Sequence, residues 1–122
     1  MIAKKYRFHG QKSLNETYKR GITFYEKDFS IKSLTKTRQQ TPRFAVVVSK
    51  KVSKKAVIRN KIRRKIYEII RTNLNIIKEN QNLIITVFKE DVLNIEHKKL
   101  NKKITNLIKK INNQEDKTNK TI

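Results

Sequence analysis

The sequence predicts an α+β domain, a small central β-sheet with helices packed against it, in the order α-β-β-β-α-β-α. Residues 56 to 79 repeat isoleucine at helical spacing. Two valine- and isoleucine-rich runs, RFAVVVSK and QNLIITVFK, have the length and composition of strands and stand on either side of that helix. A chain of 122 residues suffices for one domain with one modest core.

Taken in order, the first ten residues are basic and irregular. SLNETYKRG reads as a short helix: Ser13 and Glu16 have capping-box spacing, Gly21 sits where a helix stops, and Leu14 and Tyr18 share a face. ITFYEKDFSIKSL partly alternates apolar and polar residues, which predicts a strand from Ile22 to Leu34, bent or interrupted near Glu26 and Lys27. TKTRQQTP is a polar loop ending at Pro42. RFAVVVSK is a short continuous apolar run, expected to be a strand buried on both faces, and KKVSKK is a charged loop.

From about Ala56 to Glu79, Ile58, Ile62, Ile66, Ile69, Ile70, Ile76 and Ile77 occupy one arc of roughly 120° of a helix. Lys61, Arg63, Arg64, Lys65, Tyr67 and Arg71 fall outside it. QNLIITVFK is a second buried-type strand. A last amphipathic helix follows, with Leu100, Ile104, Leu107, Ile108 and Ile111 on one stripe. Residues 1–111 are thus one domain, and the aperiodic polar segment 112–122 is an expected disordered tail.

Charge narrows the function. Lys and Arg number 31 against 10 acids, a net charge of +21. Self-repulsion on that scale is relieved by a polyanion, with nucleic acid the leading candidate. No apolar run approaches the roughly 20 residues of a membrane span, the N-terminus lacks a signal-peptide centre, and there are no cysteines. A soluble cytoplasmic protein fits, with no membrane and no obligate protein partner expected.

The basic residues concentrate in KKAVIRNKIRRKI, residues 54 to 66. Between Arg43 and Arg71, Glu68 is the sole acid against eleven Lys and Arg. An ordinary solvated helix mixes signs and gains i,i+4 pairs, so an RNA-facing surface is the reading here. Arg59, Arg63 and Arg64 offer forks that bond two phosphate oxygens at once. Lys50, Lys51, Lys54, Lys55 and Lys61 act as point charges. Asn60 either caps the first turn or bonds a base edge or 2′-hydroxyl.

Protein-based catalysis is not expected. Glu90-Asp91 and Glu115-Asp116 are the only adjacent acids, His9 and His97 are isolated and read as surface residues, and no glycine loop cradles phosphate. No metal or cofactor motif is present.

SKKVSKKAVIRNKIRRKIYE resembles the signature region of the bacterial ribonuclease P protein component family. The matching residues are Ser49, Lys50 and Lys51, the step Ala56-Val57, and the run Arg59, Asn60, Lys61, Ile62, Arg63, Arg64. Lys19-Arg20-Gly21 resembles the end of the family's opening helix, and RFAVVVSKK and NLIITVF resemble its strands. The resemblance implies a ribosomal-protein-like domain with a left-handed βαβ crossover, where general rules would give a right-handed one. It implies an accessory subunit of ribonuclease P, an endoribonuclease whose catalytic part is RNA and which removes the 5′ leader of precursor tRNA. Mg²⁺ would be held mainly by that RNA and the substrate.

The resemblance also implies that the Arg59–Arg64 helix face contacts the large RNA, and that a cleft between the first helix and the sheet receives the leader. The cleft positions would be Leu14, Tyr18, Phe29, Ile31, Ala45 and Val47. Leu14 stands where many members have phenylalanine, which leaves Tyr18 as the better stacking residue. Tyr67-Glu68 replaces the family's frequent Arg-Glu, putting one basic contact in doubt while offering a ring to stack on ribose or base. The alternative is a ribosomal or other structural RNA-binding protein with no role in cleavage. A nucleoid protein would want a helix-turn-helix partner or dimer seam, and a membrane-surface helix an aromatic-rich apolar face.

Overall fold

The computed structural model describes residues 3–8, 10–36 and 39–120, with side chains as far as Gln114. Helix α1 spans Gln11–Arg20, strands β1, β2 and β3 span Ile22–Tyr25, Phe29–Thr35 and Arg43–Val47, helix α2 spans Ala56–Thr72, strand β4 spans Gln81–Val87, and helix α3 spans His97–Lys120. The sheet order is β1-β2-β4-β3. β1 and β2 form an antiparallel hairpin, β2 pairs antiparallel with β4, and β4 pairs parallel with β3 through the α2 crossover.

Register divides the sheet residues between two faces, since side chains alternate along each strand. Phe29, Ile31, Leu83, Ile85, Val87, Phe44 and Val46 lie on the first face and join Ile62, Ile66, Ile69 and Ile70 of α2 and Leu100, Ile104, Leu107, Ile108 and Ile111 of α3 in one core. The isoleucine periodicity therefore serves the purpose the sequence gives it. Each fully buried side chain contributes about 1.5–3 kcal/mol. The second face carries Ser30, Lys32, Asn82, Ile84, Thr86, Ala45 and Val47, and α1 packs there: Asn82 Nδ2 lies 3.3 Å from Thr17 Oγ1, and Lys32 Nζ donates to the Tyr18 carbonyl at 2.7 Å.

Several expectations change. α1 begins at Gln11 with Gly10 as its N-cap, so Ser13 lies inside the helix, where its carbonyl accepts from Thr17 Oγ1, and no capping box forms. The interruption near Glu26 and Lys27 is a true hairpin turn. β3 is an edge strand with alternating burial rather than a strand buried on both faces. β4, one of the two inner strands, is buried at six of its seven positions, as expected of QNLIITVFK. The β3 edge is blunted by a parallel bridge between Arg7 and Phe44 and by the Tyr67 hydroxyl, which accepts from the Val46 N–H at 3.2 Å.

α2 stops at Thr72, because the Thr72 hydroxyl and the Asn73 amide both donate to the Ile69 carbonyl, at 3.0 and 2.7 Å. Ile76 and Ile77 thus lie beyond the helix, though Ile77 is still buried. α3 continues through the backbone of the expected polar tail as far as Lys120. Asn112 is tied in by its donation to the Ile76 carbonyl at 2.9 Å, so the packed domain reaches past Ile111.

Gly21 is needed for close approach. A Cβ there would stand 2.6 Å from the Thr17 carbonyl, 2.7 Å from Lys32 Cγ and 3.0 Å from the Ser33 carbonyl. Gly21→Ala is expected to destabilise the domain by about 1–3 kcal/mol, read as a lower urea midpoint at unchanged slope.

Candidate nucleic-acid interface

The basic surface is built where β3 ends and α2 begins. Lys50, Lys51, Lys54 and Lys55 line a depression of about 530 Å³ together with Val52, Ser53, Ile58 and Glu90. All four lysines are exposed. Arg59 orders this loop, donating from Nη1 to the carbonyls of Ser53 at 2.9 Å and Lys54 at 3.1 Å. Arg59 as a whole is half-buried. One turn on, Arg63 donates to Asn60 Oδ1 at 2.7 Å and, more weakly, to the Val48 carbonyl at 3.4 Å. Asn60 is exposed and caps nothing; its side-chain carbonyl orients Arg63. Arg64 and Lys61 are exposed.

Two residues expected on this outer surface turn inward. Lys65 Nζ donates to the carbonyls of Val92, Leu93 and Ile95, three acceptors that match the three donors of an ammonium. Burial pushes its pKa below the ordinary lysine value. It fastens the short 3-10 turn Glu90–Asn94 to α2 and is not available to RNA. Tyr67 is half-buried, packs against the core and spends its hydroxyl on Val46, which removes it as a stacking ring. Arg71 is exposed but paired with Glu68, whose carboxyl this hydrogen bond holds below its usual range.

The predicted cleft divides. Phe29 and Ile31 are fully buried in the core on the sheet face opposite α1, so they cannot contact a leader. The residues of β2 that face α1 are their neighbours Ser30 and Lys32. Ala45 and Val47 lie on the α1 side and are half-exposed, because α1 packs over β2 and β4 and leaves β3 open. Leu14 is half-buried and Tyr18 is 39% exposed. Lys32 was missed: its Nζ stands 5.6 Å from the Tyr18 ring centroid, placing a cation beside that aromatic. The strict alternation in FSIKS carried that signal, since apolar Phe29 and Ile31 belong to the core and Ser30 and Lys32 to the other face.

Among the described residues, no group of three or more His, Asp or Glu side chains gathers to hold a metal ion, and no helix is long and apolar enough to cross a membrane. His97 is exposed, and His9 lies outside the described residues.

The family model described as ribonuclease P matches residues 2–112. The chain belongs to the ribonuclease P protein family. It is 29% identical over 111 residues to the ribonuclease P protein component of Finegoldia magna, covering 91% of this chain and 95% of that one. With the ribonuclease P protein component of Fusobacterium nucleatum it shares 33% over 88 residues, covering 70% and 78%. The ribonuclease P protein from Thermotoga maritima superposes with a TM-score of 0.74 at 22% identity, over 85% of this chain and 96% of that one. A Staphylococcus aureus RNase P protein does so with a TM-score of 0.72 at 22% identity, over 85% and 93%. At that identity the structural likeness speaks for the fold. Family membership makes the chain a protein subunit of ribonuclease P, an endoribonuclease, with the ribonuclease P RNA as its partner.

Proposed function

We propose that this subunit holds the ribonuclease P RNA through the lysine loop 50–55 and the exposed side of α2. On the other sheet face it receives the 5′ leader of precursor tRNA between α1 and β3. The RNA cleaves; the protein binds the leader and screens phosphate repulsion. Mg²⁺ is held mainly by the RNA and the substrate. The same reading puts the protein in the cytoplasm. The observation that carries it is the division of labour on α2, where a fully buried isoleucine stripe backs an arginine face already oriented by carbonyl and amide oxygens. The groove suits a leader of variable sequence, since Tyr18 offers a π-face and Lys32 a charge to any nucleotide.

The test is reconstitution with the host's ribonuclease P RNA and cleavage of precursor tRNA at low Mg²⁺. Tyr18→Ala is expected to weaken binding of leader-bearing precursor by about 1–3 kcal/mol, the worth of one stacked base. Affinity for mature tRNA and the thermal midpoint should not move. Equal losses for both substrates would remove Tyr18 from the leader path, and unfolding would assign it to the core.

A further inference from the structure

α3 carries a second cationic face that the α2 interface does not account for. Lys98, Lys99, Lys102, Lys103, Lys109 and Lys110 fall within about 140° of helix circumference, with Asn106 and Asn113 between them. The apolar stripe from Leu100 to Ile111 lies on the opposite side, buried in the core. Five of the six lysines are exposed and Lys103 is half-exposed. No acid occurs from His97 to Gln114. Elsewhere some cations are paired, Arg20 of α1 and Lys36 with Glu16, and Arg71 of α2 with Glu68. Among the described residues no ion pair reaches the α3 lysines, although Lys98 and Lys102, and Lys99 and Lys103, repel at i,i+4 spacing.

The fold adds direction. α2 and α3 bury their stripes in the same core on the same sheet face, so their polar sides both look away from that face. An RNA seated on α2 has the lysines of α3 on its own side of the molecule. Lys98 to Lys109 spans about 16 Å of helix, enough to meet several phosphates. Without an arginine fork or an aromatic ring, this surface suits backbone charge rather than base edges.

Resting on the reading that α2 binds RNA, we propose that the lysine face of α3 is a second contact surface for the phosphate backbone of the folded ribonuclease P RNA. Its contribution is independent of sequence and strongly dependent on salt.

The test compares three forms of the full chain by titrating the ribonuclease P RNA over a salt series: wild type, Lys98→Gln/Lys102→Gln/Lys109→Gln, and Lys4→Gln/Lys27→Gln/Lys89→Gln. The control removes the same charge from exposed lysines elsewhere. The α3 triple variant should lose about two to three from the slope of log K against log salt, the control less than one, with both melting as wild type. Equal losses in the two would reduce the face to net charge, and an unchanged slope in the α3 variant would make it a solvated surface. Loss of binding to vesicles of anionic phospholipid, with RNA binding intact, would assign the face to a membrane and overturn the proposal. Arg64→Ala measured alongside separates the two readings. If it weakens binding while the α3 variant does not, only the α3 contact fails; if it too has no effect, the α2 interface fails.

Discussion

Replacing Ile62 by aspartate is expected to abolish cooperative folding. Ile62 is fully buried in the middle of the α2 stripe, within the cluster that joins both helices to the sheet. The substitution forfeits about 2 kcal/mol of apolar transfer. It also places a carboxylate where no cation has been provided, and a buried unpaired charge costs several kcal/mol even after relaxation. A domain of this size has about 5–15 kcal/mol in total, and here that margin already works against a net charge of +21. Far-UV circular dichroism through a urea titration should show no sigmoidal transition for Ile62→Asp. Ile62→Val should retain one, with a loss of about 0.5–1.5 kcal/mol. A wild-type transition in the aspartate variant would mean that the stripe does not face the core.

That stripe was readable because its period is a property of the chain alone. What the sequence could not supply was tertiary. RFAVVVSK is apolar at every position from Phe44 to Val48, and such a run cannot say whether its strand is central or at an edge. The β1-β2-β4-β3 order decides it and leaves Ala45 and Val47 half-exposed. The alternation in FSIKS separates two faces, but which of them α1 covers depends on contacts such as Thr17 with Asn82, 65 residues apart. Ile76 and Ile77 continued the arithmetic of the helix past the point where Asn73 ends it. Lys65 looked like its neighbours Arg63 and Arg64. Only the convergence of three carbonyls from a turn some 27 to 30 residues away turns it inward. The candidate RNA face therefore keeps the expected residues between Lys50 and Arg64 and loses the stacking ring expected of Tyr67, while Lys65 beside them turns inward. The candidate leader groove keeps Leu14, Tyr18, Ala45 and Val47, loses Phe29 and Ile31 and gains Lys32, while Ser30 on the same sheet face is itself buried.

Arg64→Ala is expected to weaken binding to the ribonuclease P RNA by roughly 10- to 150-fold, the equivalent of about 1.5–3 kcal/mol for a charge-assisted hydrogen bond. Arg64 is exposed and makes no hydrogen bond or ion pair among the described residues, so its removal should leave the melting midpoint unchanged. Arg63 differs. It is half-buried and bonded to Asn60 and Val48, so Arg63→Ala should lower both RNA affinity and stability. Each substitution should flatten the salt slope by about one. Arg64→Lys then separates charge from geometry. If the fork grips two phosphate oxygens, lysine restores the slope but not the affinity, because a point charge cannot replace a bidentate contact. Full recovery by lysine would reduce Arg64 to a screening charge. Wild-type affinity and slope in Arg64→Ala would remove the exposed side of α2 from the RNA interface altogether.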